Sequence, residues 1–282
     1  METIIIGGDA RFEALAKLLS ERGEAVGLYG REACPWAPAV GAEALGRADA
    51  IVVNCPPRAE ATLAEVLALA SDRALIFACG PGHPEAEDPR IVDLWADEAL
   101  KRENACLTAE GALASAMRAS ARALAGLPCL VVGWGRIGQA LTERLVALGA
   151  KVAVASRRVA GRNRAVERGA EAADTLRIAD ALPGRKLIFN TAPAMVLDAE
   201  ALAHVDADAM LIDLASPSRR EAGPLGRREA SPLGFGIDLR SAWSRGLRAW
   251  REPGLPGRYC PQSAALAILK AMDRLDGRGA GA

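Results

Sequence analysis

Short apolar runs alternate with stretches in which apolar residues recur every three or four positions over the first hundred residues. The runs at 4–6, 25–29, 50–54 and 75–79 predict buried strands. The first ends in Gly7-Gly8-Asp9, the third is halted by Pro56-Pro57, and the fourth ends in Gly80-Pro81-Gly82. Between them Phe12, Leu15, Leu18 and Leu19, and then Leu63, Val66, Leu67 and Leu69, fall at helical spacing. Strand, helix and strand at these intervals predict a parallel sheet with right-handed crossovers.

Residues 104–125 are rich in alanine with almost no breaker, which predicts one long helix with Thr108 and Glu110 near its start and Leu127-Pro128 at its end. A second alternating region follows, with strands expected at 129–133, 151–155, 187–191 and 210–214. Proline and glycine become dense between 217 and 257, and Pro261 opens a last helix with Ala265, Ile268, Leu269 and Met272 on one face. The glycine-alanine tail is expected to fray.

The expectation is an α/β fold of two parallel-sheet lobes. Residues 1–104 form an N-terminal flavodoxin- or Rossmann-like substrate domain and 105–126 the linking helix. Residues 127–258 form a Rossmann NAD(P)-binding domain, and 259–282 a C-terminal helix packing back on the N-terminal domain. Such a layout predicts a small-molecule site in an inter-lobe cleft.

Composition narrows the class of function. Of 282 residues 51% are apolar but only 4% aromatic, a profile suited to alanine- and leucine-rich helices on a parallel sheet. Lysine plus arginine and aspartate plus glutamate number 35 each, so no globally basic surface recommends nucleic acid. The arginines from Arg219-Arg220 to Arg227-Arg228 lie among proline and glycine without aromatic partners. The six cysteines, at 34, 55, 79, 106, 129 and 260, form no C-x-x-C pair, which suggests reduced thiols in a cytoplasm. The two histidines, His83 and His204, have no ligand at metal spacing, so no metal is expected. The opening run at 3–6 lacks a basic flank, and no apolar stretch approaches the ~20 residues of a membrane span.

The strand expected at 129–133 runs into Gly133-Trp134-Gly135-Arg136-Ile137-Gly138, and Leu141, Leu145 and Leu148 continue as a helix closed by Gly149. In this context Gly133 permits a tight turn, Gly135 lets the backbone approach a pyrophosphate, and Gly138 lets helix and strand pack closely. Arg136 and Ile137 fill the intervening positions at the helix start, where free N–H groups favour phosphate. The bland alternative is a glycine-rich turn without a ligand. An NAD site usually offers an acid about 20 residues further on for the ribose hydroxyls. Here the second strand ends in Ser156-Arg157-Arg158 with no acid, a hydroxyl-guanidinium set suited to a 2′-phosphate. NADP(H) is therefore favoured over NAD, against the reading of Arg158 as an ordinary solvated charge, which for any single arginine is the commoner case. Asn190-Thr191-Ala192-Pro193 and Asp213-Leu214-Ala215-Ser216 close the next two strands, where the crevice of an open α/β sheet is lined. Turn chemistry alone also favours such residues there.

With these segments in hand, the chain resembles the NADP-dependent, Rossmann-type subunit of the dipicolinate synthase family. The shared stretches are Gly7-Gly8-Asp9-Ala10-Arg11, Thr108-Ala109-Glu110-Gly111 and the glycine motif at 133–138. They continue with Asn190-Thr191-Ala192-Pro193-Ala194-Met195-Val196-Leu197, the segment 211–216, and Pro253-Gly254-Leu255-Pro256-Gly257. The similarity is dense from about 104 to 275 and thin between 12 and 100. The resemblance implies oxidation of dihydrodipicolinate, formed by dehydrating its 4-hydroxy-tetrahydro precursor, to aromatic dipicolinate with NADP+ as hydride acceptor. It also implies a second, flavoprotein-like subunit and a role in spore formation. Two departures bear on substrate. The family's Arg-Pro-Gly-Gly turn is replaced by Pro217-Ser218-Arg219-Arg220 and an insertion to about Phe235, and its Pro-Lys-Thr appears as Pro261-Gln262-Ser263.

For such a reaction the chain must hold a dicarboxylate and can accept a proton. Arg11 is the first candidate for a carboxylate clamp, because a guanidinium binds carboxylate bidentately. Asp9, Thr108 and Ser216 are further substrate-binding candidates. Glu110 and His83 are candidate bases, against the commoner readings of a helix-start carboxylate as a cap and a loop histidine as solvated. A homo-oligomer is expected. The rival readings are an alanine-, saccharopine- or shikimate-dehydrogenase-like enzyme, or a cofactor-binding subunit without catalysis.

Overall fold

The computed structural model describes residues 1–53, 63–78, 88–215 and 236–276. The chain divides into two compact units, Met1–Asn104 with Pro256–Ala282, and Ala105–Leu255.

In the first unit β1 (Glu2–Ile6), α1 (Ala10–Glu21), β2 (Ala25–Tyr29), β3 (Ala39–Val40), β4 (Ala50–Val53), α2 (Leu63–Leu69), β5 (Leu75–Ala78) and β6 (Ile91–Asp93) follow in turn. They build a six-stranded parallel sheet in the order β3-β2-β1-β4-β5-β6. Strand residues alternate between the two faces. Ile5, Val52 and Phe77 enter one core cluster with Phe12, Leu15 and Leu19 of α1. Ile4, Ile6, Ile51, Val53 and Ile76 enter another with Leu63 and Val66 of α2. Burial on both faces explains why these strands read as continuous apolar runs.

The helix α3 (Glu98–Ser120) crosses from the first unit to the second. It begins before the expected 104 and stops before the expected 125, so Thr108 and Glu110 lie in mid-helix, not near its start. Asp97 caps it, accepting from the backbone N–H of Ala99 at 2.7 Å and Leu100 at 2.9 Å. Beyond its end Ala121 adopts a left-handed conformation (φ 51°), a stop that an alanine-rich sequence does not announce.

The second unit continues with β7 (Pro128–Val132), α4 (Arg136–Ala147), β8 (Lys151–Ala155), α5 (Val159–Glu167), β9 (Glu171–Ala173), α6 (Ile178–Ala181), β10 (Leu187–Asn190), β11 (Met210–Asp213), α7 (Leu239–Ser244) and β12 (Arg248–Arg251). Its parallel sheet has the order β12-β11-β10-β7-β8-β9. Both sheets thus have the doubly wound Rossmann order, with a topological switch point between β1 and β4 and another between β7 and β10. One face is packed by Leu130, Val132, Ala153, Ala155, Ile188 and Leu211 with Ile178, Leu202 and Leu239. Cys129 is a buried packing thiol, and burial pushes it up to about 12 against a small opposing effect of Arg185.

The short helix α8 (Leu255–Tyr259) leads into α9 (Pro261–Leu275), which opens with proline at its first position. Ala265, Ile268, Leu269 and Met272 of α9 share the first unit's core with α1. Arg274 reaches back to Asp97 at 2.6 Å, and Arg22 meets Asp273 at 2.9 Å.

Candidate functional site

The glycine turn sits at the β7–β10 switch point. Gly133 has φ +105°, and a Cβ there would lie 2.5 Å from Thr191 Oγ1 and 3.2 Å from Ala192 N. Only glycine satisfies both constraints. Thr191 donates from its backbone N–H (2.8 Å) and its hydroxyl (3.0 Å) to Val132 O, so the ends of β7 and β10 are clasped directly beneath the turn. Gly138 is buried, and a Cβ there would meet the carbonyl of Gly133 and, at 3.1 Å, Thr191 Oγ1. Gly135 is different: a Cβ would meet nothing within 4 Å. It is the N-cap of α4 and offers no side-chain cap, so the first N–H groups of that helix are left for another acceptor. Two glycines are thus required by packing, while the third faces open space beside a helix N-terminus. That is the cradle a pyrophosphate fits. Arg136 is exposed and Ile137 half-buried.

At the end of β8, Ser156 is buried while Arg157 and Arg158 are exposed. Neither arginine side chain has a partner among the described residues. Arg158 is the N-cap of α5 without a capping side-chain bond. The arginine that braces this corner is Arg162, which sequence reasoning did not single out. It donates to Ser156 O at 2.8 Å and Arg157 O at 3.3 Å and pairs with Asp174 at 2.8 Å. Asp174 also caps the turn that follows β9, accepting from Leu176 N at 3.0 Å. The acid beyond β9 is therefore already engaged, and the side chains at the end of β8 are a hydroxyl and two guanidinium groups without a carboxylate. Trp134 adds a further donor: its Nε1 is buried without a hydrogen-bond partner among the described residues.

Asn190 and Asp213 close β10 and β11 with no exposed surface. Asn190 Nδ2 donates to Asp213 Oδ1 at 2.8 Å and to Ala192 O at 3.0 Å. Asp213 also accepts from Ala215 N and Gly236 N, each at 3.1 Å. Both side chains shape the strand ends from beneath. Leu214 and Ala215 are likewise buried, Thr191 and Ala192 are half-buried, and Pro193 is exposed. Ser216, His83 and the insertion at 217–235 lie outside the described residues.

In the first unit Asp9 caps α1 and grips Arg11 in a two-point ion pair, at 2.8 Å to both Nε and Nη2. Arg31 donates from Nη1 to the backbone carbonyls of Asp9 at 3.1 Å and Gly7 at 3.4 Å, so a second guanidinium braces this turn while Arg11 alone bonds the carboxylate. Burial by itself would raise the Asp9 carboxyl. The hydrogen bonds and charge of Arg11, with the charge of Arg31, outweigh burial and hold it below its ordinary value. Arg31 was not among the sequence candidates, because nothing in its local pattern reports its approach to the β1–α1 turn. A Cβ on Gly257 would run into the Asp9 carboxylate, and one on Gly111 would lie 2.9 Å from Leu255 Cβ. Within the second unit Gly111 thus packs closely on Leu255, and within the first Gly257 packs closely on Asp9. Thr108 is buried on α3, and Glu110 is exposed, paired with Arg144 at 2.8 Å. Among the described residues no group of histidine, cysteine and acidic side chains could hold a metal, and no helix is long and apolar enough to cross a membrane.

Comparison with known proteins accords with this geometry. Residues 96–217 match the family described as D-isomer specific 2-hydroxyacid dehydrogenase, NAD binding domain. The chain is similar to a dipicolinate synthase subunit of Bacillus subtilis (strain 168), with 26% identity over 186 residues, 66% of this chain and 57% of that protein. A crystal structure of the corresponding dipicolinate synthase subunit from Bacillus halodurans shares the fold, with a TM-score of 0.77 at 24% identity and 97% of each chain covered. The structure of a transhydrogenase from Sinorhizobium meliloti gives 0.65 at 18% identity, covering 98% of this chain and 94% of that one. The resemblance read from the motifs is therefore met, and most of the stretch that matches the NAD-binding model lies in the second unit.

Proposed function

We propose that this chain is an NADP-dependent dehydrogenase that oxidises dihydrodipicolinate, formed from 4-hydroxy-tetrahydrodipicolinate by loss of water, to dipicolinate. The observation that carries the cofactor half is the pairing of an open cradle at Gly135 with an end of β8 that offers a hydroxyl and two guanidinium groups but no carboxylate. The similarity to a dipicolinate synthase subunit supports the substrate half.

Aromatisation of the dihydropyridine removes one hydride and one proton. When bound, NADP+ supplies the hydride acceptor. The N-terminal N–H groups of α4, with Gly133, Gly135, Arg136, Ile137 and Gly138, would hold the pyrophosphate. Ser156, Arg157 and Arg158 would hold the 2′-phosphate. Thr191, Ala192, Pro193, Leu214 and Ala215 would shape the nicotinamide half, positioned by Asn190. Arg11 would take a substrate carboxylate, with Asp9 holding its guanidinium in orientation, and Thr108 and Ser216 would hydrogen-bond the substrate. Glu110 and His83 are the candidate proton acceptors. Gln262, in place of the family's lysine, removes one cation from this set. The proposed setting is the cytoplasm, as a homo-oligomer that works with a second, flavoprotein-like subunit, in dipicolinate formation during sporulation.

The ion pair of Glu110 with Arg144 favours a second reading, a cofactor-binding subunit whose partner performs the chemistry. Purified chain, supplied with NADP+ and freshly generated dihydrodipicolinate, L-alanine or dehydroshikimate, with and without the flavoprotein, separates these readings. The proposal expects NADPH only with dihydrodipicolinate. Tight NADPH binding by a chain that never reduces NADP+, with dipicolinate formed only when the flavoprotein is added and without NADPH, would establish the second reading instead.

A further inference from the structure

Trp134 fills the first variable position of the glycine turn, and its side chain reaches α5. A Cβ added at Gly161 would lie 3.2 Å from both Cβ and Cδ1 of Trp134 and 2.7 Å from Ser156 Oγ. The pyrrole edge of the indole and the Ser156 hydroxyl therefore converge on the first turn of α5. Nε1 is bonded to Cδ1 on that same edge, and it is buried with no acceptor among the described residues. A buried donor in this condition has lost its water without gaining a bond, which native structures rarely tolerate without a reason. Ser156 Oγ is scarcely better placed, with one contact of 3.5 Å to Arg158 O. The exposed Arg157 and Arg158 add two guanidinium groups without side-chain partners among the described residues. Asp174, the acid that could have served them, is held by Arg162.

A buried indole N–H and the Ser156 hydroxyl thus converge at the start of α5, next in sequence to two exposed guanidinium groups, with no carboxylate left to pair them. A ribose diol is ordinarily held by a carboxylate, which this corner lacks. A phosphate monoester, with acceptor oxygens and negative charge, suits it well. The geometry points to Trp134 as a specificity-determining residue. Its indole N–H, with Ser156 Oγ, Arg157 and Arg158, forms a subsite for the phosphate on the adenosine ribose of NADP(H). This rests on the NADP reading above and adds to it a residue that the glycine fingerprint treats as a spacer. Gly161 is part of the device, because a side chain there would push α5 away from both donors.

The test compares binding of 2′,5′-ADP and 5′-AMP to the full chain by calorimetry, in wild type and in Trp134→Phe, which keeps an aromatic ring and removes the N–H. Wild type is expected to favour 2′,5′-ADP. The variant is expected to lose about tenfold of that affinity, roughly 1.4 kcal/mol, with 5′-AMP binding unchanged. In wild-type protein the indole proton resonance that Trp134→Phe abolishes should shift on adding 2′,5′-ADP but not 5′-AMP, a readout independent of the variant's stability. Equal losses for both ligands, or an unmoved indole resonance, would overturn the role of Trp134 while leaving NADP preference intact. Failure of wild type to distinguish the two ligands would overturn the NADP reading and this inference together.

Discussion

Asn190 and Asp213 meet at 2.8 Å with no exposed surface on either, tying the ends of two neighbouring strands at the lip of the glycine turn. A buried carboxylate is tolerated only when its oxygens are bonded, and here one of its donors is a side-chain amide. Asn190→Ala withdraws that donor and leaves Asp213 Oδ1 with less compensation. Urea unfolding should show a loss on the order of 2 kcal/mol. An unchanged midpoint would mean that the pair contributes nothing to stability.

The glycine turn gives a paired prediction. Gly138→Ala drives a methyl group into the carbonyl of Gly133 and should both destabilise the chain and abolish dinucleotide binding. Gly135→Ala places its methyl group in open space, at a backbone φ of −81° that alanine accepts. Its melting temperature should match wild type while NADPH affinity falls about tenfold or more, because the added group occupies the approach to the α4 N-terminus. Undiminished affinity in Gly135→Ala would remove the cradle from the account.

The charge at the end of β8 is open to a direct comparison. Replacing both Arg157 and Arg158 by alanine should weaken NADPH binding by at least about a hundredfold, roughly 2.7 kcal/mol, and leave NADH binding within about threefold of wild type. Equal losses for the two cofactors would assign these arginines a general electrostatic role. Their exposure and lack of side-chain partners among the described residues mean that folding stability should not change.

Acid sensitivity is expected from two capping aspartates. Burial would raise Asp97, but the hydrogen bond from Arg274, those from Leu100 and Ala99, and the Arg274 charge hold it below its ordinary value. Asp9 is lowered in the same sense. Because the folded-state values lie below the unfolded one of 3.8, these groups stabilise the fold fully above it. That contribution is lost as pH falls through it towards the folded values. Unfolding free energy measured from about pH 5 to pH 3 should therefore decline. Asp97→Asn should be less stable near neutrality and show a flatter decline. A decline of wild-type steepness in the variant would take Asp97 out of the explanation.

Local pattern made the central strands legible and the edges not. β2 and β8 span the residues their apolar runs predict, and β4, β7, β10 and β11 lie within one residue of theirs at each end over the described chain. All lie inside a sheet and are buried on both faces, so burial is written into their composition. β3, β6, β9 and β12 went unread, because two to four residues such as Glu171-Ala172-Ala173 or Arg248-Ala249-Trp250-Arg251 carry no pattern of their own. All four are edge strands fixed by a single neighbour. The start of α3 was misplaced for a related reason: Asp97 becomes a cap whose charge is met by Arg274, far along the chain.

The same division holds at the site. Gly133, Gly135 and Gly138 were readable because a strand-turn-helix context gives each a separate duty, although only the structure shows which of them faces open space. Arg11 was readable as a guanidinium beside a turn, but its engagement by Asp9 and the proximity of Arg31 were not. The N–H of Trp134, which has no partner among the described residues, carries no sequence signal at all.

The central claim, that this chain transfers a hydride from a dihydropyridine dicarboxylate to NADP+, is tested most directly by following both products in one reaction. NADPH absorbance and dipicolinate, quantified chromatographically, should rise together in a one-to-one ratio with NADP+ and at a much lower rate with NAD+. Dipicolinate appearing without NADPH, or no NADPH above the enzyme-free control with the flavoprotein present or absent, would contradict it.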